Sequence, residues 1–361
     1  MRNIRRKLFI VTLCLLCLGV VMIFSASSIE AWQKMGNSMY YLNRHLLFLV
    51  LGTFLSIFVM GMDYRKLKIY SKPLLIFSTL LLILILMPGI SREIGGAKRW
   101  FRFFSLNFQP SEFAQIAMIV YIAEFISRKK TLTDDFWHGF IPVIAILGFV
   151  VFLILMQPDL GTVVALSIVV IVMMYISGLD LRYVFSLFLL AMPVLFILIF
   201  SVPYRRIRML TFLNPWADPE GSGFQLIQSQ IALGSGGIFG VGLGMSKEKL
   251  LYLPAAHTDF IFSIIGEELG FLGVIATITL FFLFLYYGFK IAYSVKDSFG
   301  HYLSFGLVLL ITLKALINMG VSCALLPTKG LPLPFISYGG SSLIFDMISV
   351  ALLLNIAKSG D

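Results

Sequence analysis

The chain has 361 residues, 59% of them apolar and only 13% charged, with a formal net charge of +10 and a mean hydropathy of +0.95. Soluble domains are about 25% charged, and a globule of this length cannot hide so much apolar surface, which excludes a water-soluble enzyme, a disordered chain and a secreted disulfide scaffold. The lysines and arginines sit in short stretches between apolar runs, a membrane-topology pattern rather than the clustered basic face of a nucleic-acid binder.

Arg2, Arg5, Arg6 and Lys7 precede an uncharged run from Leu8 to Ile29. A signal peptide also begins this way, but this run is long enough to span a bilayer and is read as a retained first helix. Cys14 and Cys17, spaced C-x-x-C inside it, are read as packing or lipid-facing residues, and Cys323 ends a later apolar run. At about 17–25 residues per span, helices are expected near 8–27, 45–62, 73–90, 112–127, 138–156, 160–178, 183–202, 260–288, 302–324 and 340–357. The expected fold is all-α: a polytopic membrane protein of ten transmembrane helices, one domain across 1–361, with a long outward loop, about 203–259, between helices 7 and 8. Basic residues before helix 1 and after helix 2 (Arg65, Lys66, Lys68, Lys72) place both termini in the cytoplasm.

Two outward segments, 91–111 and 203–259, carry basic residues that this orientation disfavours. In the first, Lys98, Arg99 and Arg102 alternate with Trp100 and Phe101. This is either an interfacial aromatic belt with snorkelling arginines or an anion clamp for a phosphorylated lipid. Pro110-Ser111-Glu112 looks like a helix start with Ser111 as its cap. Gln157-Pro158-Asp159-Leu160-Gly161 is a tight turn, and Asp159 either caps helix 6 or faces the outer vestibule. The long loop begins with Arg205, Arg206 and Arg208, continues through Gly223-Phe224-Gln225, Gln228 and Ser229, and reaches a glycine-dense stretch over 234–244. That stretch is not a phosphate-binding Gly-Lys-Ser/Thr loop and indicates tight turns and close approach.

The strongest local signal is Ala256-His257-Thr258-Asp259-Phe260, followed by Gly266-Glu267-Glu268-Leu269-Gly270. A carboxylate at the mouth of a membrane helix is a functional candidate by default. The structural alternatives are a helix cap for Asp259 and an interhelical hydrogen bond for Glu267 and Glu268. The segment 326–342, with three prolines and three glycines around Pro334-Phe335-Ile336-Ser337-Tyr338, is rigid and non-helical, which suits a cavity wall. His45, His138, His257 and His301 form no metal-binding spacing.

Taken together these motifs resemble the SEDS family (shape, elongation, division and sporulation) of membrane glycosyltransferases. The anchors are Ala97-Lys98-Arg99-Trp100, Gln109-Pro110-Ser111-Glu112, Gln157 to Thr162, Arg206-x-Arg208 with Asn214-Pro215, Gly223-Phe224-Gln225, His257 to Gly270 and Pro334 to Ser342. Leu326 to Leu331 is more like the division members than the elongation members. The resemblance implies ten spans and polymerisation of lipid II into glycan strands at the outer face of the bacterial cytoplasmic membrane, at the septum. It also implies a class B penicillin-binding transpeptidase and other divisome membrane proteins as partners. Asp259 matches the family's essential aspartate. Lys314 and Asp346 depart from the family pattern and are expected to pair across helices 9 and 10.

Lipid II is an α-linked pyrophosphate and the product is β-linked, so a single inverting displacement suffices. A pyrophosphate leaves as a stable anion and needs positive charge more than a general acid. Asp259 is therefore the expected base, with Lys98, Arg102, Arg205, Arg206 and Arg208 gripping the pyrophosphate. Gln225, Gln228, Ser229, His257, Glu267, Lys329, Ser337 and Tyr338 are further substrate-binding candidates. Asp259 either takes the proton or holds a divalent cation, Mg or Mn; no organic cofactor is expected. The rivals are a lipid II flippase, which needs a polar path through the bilayer rather than charge at one mouth, and a recruiting scaffold, which leaves Asp259 unexplained.

Overall fold

The computed structural model describes residues 1–88, 92–94, 97–103, 106–128, 136–250, 253–254, 256–328 and 330–359. Twelve helices are present among them: α1 (Arg2–Met35), α2 (Tyr40–Gly61), α3 (Lys66–Leu84), α4 (Pro110–Arg128), α5 (Ile141–Leu155), α6 (Leu160–Ile176), α7 (Leu181–Phe200), α8 (Pro203–Leu213), α9 (Phe224–Ser235), α10 (Ile261–Ser294), α11 (Ser298–Ser322) and α12 (Gly340–Ser359). Local chemistry sets several of their ends. Gly36, in the left-handed region, returns its N–H to Trp32 and closes α1. The side chains of Asp159, Asp180 and Asp297 accept backbone N–H groups at the starts of α6, α7 and α11.

Each of the ten expected spans overlaps one of these helices. Among the described residues, α1, α2, α3, α7, α10, α11 and α12 are long and apolar enough to cross a membrane, and α5 and α6 are shorter apolar helices. By contrast, α4 carries Glu112, Glu124 and Arg128 and is buried along almost its whole length. With α11 and α12 it forms the centre of the bundle. The exposed residues of α7, such as Phe185, Leu189, Phe196 and Phe200, leave it lying along the outside.

The structure corrects the expected fold in three places. The segment after α3 is not simply interfacial, because β1 (Arg92–Ile94), β2 (Ala97–Phe103) and β3 (Leu106–Phe108) form a small antiparallel sheet in that order. It pairs Arg92 with Trp100 and Phe101 with Phe108, and Ser341 at the start of α12 fastens it through Asn107 O at 2.7 Å and Gln109 N at 3.0 Å. Second, the long loop contains α8 and α9. Third, the helix expected over 260–288 is broken at Gly270 (φ 66°, ψ −163°). There the glycine-rich turn 237–242, with left-handed φ at Gly237, Gly240 and Gly242, supplies the missing partners: Val241 and Gly242 N–H donate to Glu267 and Glu268 O, and Phe271 and Leu272 N–H donate to Gly237 and Ile238 O, at 2.9–3.2 Å. Broken helices at membrane depth require such compensation.

Candidate functional site

The polar residues converge at the end of the bundle that carries the sheet. Asp259 lies just ahead of α10, whose first residue is capped by Phe260 without any side-chain bond, so Asp259 is not a helix cap. Its segment is held by its carbonyls instead. The His257 carbonyl accepts from the Tyr338 N–H at 2.9 Å, the Thr258 carbonyl from the Ser337 hydroxyl at 2.5 Å, and the Asp259 carbonyl from the Asn318 amide at 2.8 Å. The second N–H of Asn318 reaches Leu331 O, also at 2.8 Å. The 331–338 segment is thereby tied to the 257–259 segment at three successive residues. Phe335 has a left-handed φ of 66°, a costly geometry for a bulky residue that surrounding contacts must hold in place. Packing on Phe284 holds it there, and so does the absence of a side chain on Gly19, where a Cβ would lie 2.9 Å from Ile336 Cα.

With its backbone spoken for, the Asp259 carboxylate remains available. No described residue donates a hydrogen bond to it, and it is partly buried. Burial pushes its pKa up to about 6, against the opposing pull of the Arg208 and Arg99 guanidiniums and of His257, while the Asp159 carboxylate pushes it further up. Arg208 is pre-set by its position 4.4 Å from the Tyr204 ring centroid and by a bond to Thr328 O at 3.3 Å. Arg99 donates to Gln157 O at 2.8 Å and to Pro158 O, tying β2 to the α5–α6 turn. In that turn Asp159 caps α6 through Thr162 N and Oγ1 at 3.2 and 2.9 Å, and accepts from the Gln109 amide at 3.3 Å. Ser111, expected as the α4 cap, instead accepts from Gln109 at 3.0 Å, because Pro110 already opens the helix.

Beneath this layer lies a buried charge cluster. Lys314 Nζ sits 2.6 Å from Glu112 Oε2 and 3.7 Å from Asp346 Oδ1, and Ser342 donates to Asp346 at 3.2 Å. The expected Lys314–Asp346 pair is therefore secondary: α4 brings Glu112 closer to the ammonium than α12 brings Asp346.

The other candidates separate by environment. Arg205 donates to Leu198 O at 3.2 Å, and Arg206 is exposed. Gln225 and Gln228 are half-buried on α9, whereas Ser229 is fully buried between Ser263 Oγ at 2.6 Å and Ser322 O at 2.8 Å. Glu267 accepts from the Ser246 hydroxyl and from Lys247 N at 2.7 Å, stapling the long loop to α10. Its neighbour Glu268 pairs with Lys249 at 2.8 Å beside Ser25. His257 lies 3.1 Å from Glu30 Oε2 and packs on Tyr41 and Tyr338. Lys98 and Arg102 lie on β2, but their side chains, like the whole of Lys329, fall outside the described residues.

Sequence reasoning passed over Asn318 and Tyr41, and took Glu112 only as part of a helix start and a family motif rather than as the partner of Lys314. A signal for Asn318 existed, since Lys314, Asn318 and Ser322 recur every four residues along one stripe of α11. Among the described residues no group of three or more His, Cys, Asp or Glu side chains gathers as a metal site. The Asp259 carboxylate lies in the field of Arg208, Arg99 and His257, and the Asp159 carboxylate is taken up by Thr162 and Gln109. An apolar cavity of about 150 Å³, lined by residues including Asp63, Leu67, Phe113, Val120 and Leu352, does not include Asp259.

This arrangement sets a carboxylate and arginines at one mouth of a membrane bundle. Residues 5–361 match the model of a cell cycle protein family that groups FtsW, RodA and SpoVE. The chain is similar to the probable peptidoglycan glycosyltransferase FtsW of Geobacter metallireducens, at 44% identity over 97% of this chain and 93% of that protein. It is also similar to stage V sporulation protein E of Bacillus subtilis, at 41% identity over 97% and 96%. Among solved structures, a chain of a peptidoglycan synthase complex described as coordinating polymerization and crosslinking superposes with a TM-score of 0.80, at 32% identity over 98% and 97% of the two chains. The rod shape determining protein RodA of Thermus thermophilus gives 0.72, at 28% identity over 98% and 96%.

Proposed function

The chain belongs to the FtsW/RodA/SpoVE family, and from that membership we propose that it is a peptidoglycan glycosyltransferase polymerising lipid II at the outer face of the bacterial cytoplasmic membrane. The observation that supports this most is the Asp259 carboxylate. It is fixed through its backbone, receives no hydrogen bond from any described residue, and lies within the field of Arg208 and Arg99.

The reaction needs two things from the protein. The acceptor sugar's 4-hydroxyl must lose its proton as its oxygen attacks the donor's anomeric carbon, and the departing pyrophosphate must be stabilised as its bond to that carbon breaks. Asp259 takes the proton, for which a pKa near 6 suits it: ionised at neutral pH, yet more basic than an ordinary aspartate. Arg208 and Arg99 supply fixed positive charge for the leaving group. The 331–338 segment and Asn318 keep the base in place.

The sheet end faces outward and both termini lie in the cytoplasm, in keeping with the basic residues flanking α1 and following α2. The partner is a crosslinking transpeptidase of the penicillin-binding class, working with other division proteins at the septum. Identity of 44% to an FtsW relative against 28% to the RodA structure favours division over elongation. Purified chain in detergent, given lipid II and such a transpeptidase, is expected to make β-linked glycan. A flippase or a scaffold makes none there, so absence of polymer would overturn the enzymatic reading.

A further inference from the structure

A second cluster adjoins the Asp259 segment, built from elements other than those that carry the arginines. Tyr41, at the start of α2, lies 4.6 Å from the His257 ring and 5.2 Å from Tyr338, with Tyr40 edge-on at 5.3 Å. Arg44 bonds the Tyr40 hydroxyl at 2.8 Å and lies 5.6 Å from the Tyr40 ring centroid. Tyr40, Tyr41 and Tyr338 are half-buried rather than enclosed. Tyrosines of an interfacial belt turn outward to headgroups. These converge on the stretch leading into Asp259, and the Tyr338 N–H holds the His257 carbonyl two residues before the carboxylate.

Aromatic faces combined with hydroxyl and guanidinium edges match a pyranose, which presents an apolar C–H face and a polar rim. An inverting displacement brings the nucleophile in opposite the leaving group. With Arg208 on α8 and Arg99 on β2 assigned to the pyrophosphate, the cluster at the start of α2 and on the 331–338 segment, built on other elements, is left for the incoming sugar. We propose that Tyr41 and Tyr338, backed by the buried His257 ring and rimmed by Tyr40 and Arg44, form the acceptor subsite, the two tyrosines stacking against the sugar whose 4-hydroxyl Asp259 deprotonates. This rests on the glycosyltransferase reading above.

The test uses full-length chain with its transpeptidase partner and lipid II, reading KM, kcat and glycan length. Tyr41→Leu and Tyr338→Leu are expected to raise KM about tenfold, to leave kcat within about twofold and to shorten the glycan. Tyr41→Phe, which keeps the ring, recovers most of the loss. If the parent polymerises and Asp259→Asn does not, yet both leucine variants match the parent in KM and product length, the subsite assignment fails while the enzymatic reading stands. If the parent makes no polymer, the enzymatic reading itself fails. Should the leucine variants not fold, a photo-crosslinking benzoylphenylalanine at position 41 of the Asp259→Asn chain decides. Capture of labelled lipid II supports the subsite, and absence of capture there, with capture at position 208, overturns it.

Discussion

In the proposed mechanism Asp259 is the base, and its availability comes from its neighbours' commitments. Because burial raises its pKa to about 6, kcat/KM should fall as pH drops through 6 and level off above about 7, since only the ionised form accepts a proton. A profile flat from pH 5 to 8 would remove Asp259 from the rate-determining chemistry. Asn318→Leu strands the carbonyls of Asp259 and Leu331, a cost of about 1–3 kcal/mol each. It should lower kcat more than it raises KM, because the carboxylate is displaced while the arginine rim stays. Asp259 was legible in the sequence, because a carboxylate at a membrane boundary needs a reason. Asn318 was not, because an amide inside a span looks like any interhelical polar contact until its two carbonyl partners are seen. The Lys314 cluster was half legible: burial demanded a counter-charge, but which carboxylate lies nearer depends on how α4 and α12 pack. Restoring charge balance in Lys314→Gln with Glu112→Gln should recover more thermal stability than doing so with Asp346→Ser. Equal recovery would mean that the 2.6 and 3.7 Å separations do not rank the two contacts.

At the scale of elements, the decisive feature is the break in α10. Apolar content over 260–288 reads as one continuous helix, and Gly270 inside it looks like a tolerated glycine. The glycine-dense stretch announced close approach without saying to what. The structure supplies the target. A Cβ on Gly270 would collide with Ile238 O and C, at 2.6 and 2.7 Å, besides adopting a φ that side chains avoid. A Cβ on Gly240 would meet Glu268 backbone carbon at 2.5 Å. Gly270→Ala and Gly240→Ala should therefore lower the melting temperature in detergent and loosen the long loop to protease. Gly234→Ala, on α9 with nothing within 4 Å of its Cβ position, should be neutral or slightly stabilising. If all three behaved alike, pairing of 237–242 with the broken helix would not be what holds the loop. The sheet was equally hidden, since Lys98-Arg99-Trp100-Phe101 alternates by chemistry in a way that suits a membrane interface as well as a strand.

For the whole molecule, apolar composition and span spacing were enough to foresee a polytopic helical bundle, and the distribution of charge pointed to the end where Asp259, Arg99 and Arg208 meet. Composition could not foresee that α4, with its glutamates, belongs at the centre, because that placement depends on Lys314 from another helix. Orientation is open to a labelling test. Cys323, exposed at the sheet end, should react with a membrane-impermeant maleimide on intact cells, and a cysteine replacing Lys68 only after permeabilisation. The reverse pattern would put the arginines and Asp259 in the cytoplasm. The most direct measurement compares parent and Asp259→Asn chains, each with its transpeptidase partner in detergent, for lipid II binding and polymerisation rate together. The asparagine chain should still bind lipid II and polymerise about 100-fold or more slowly, whereas polymerisation at the parent rate would contradict the assignment of Asp259 as the base.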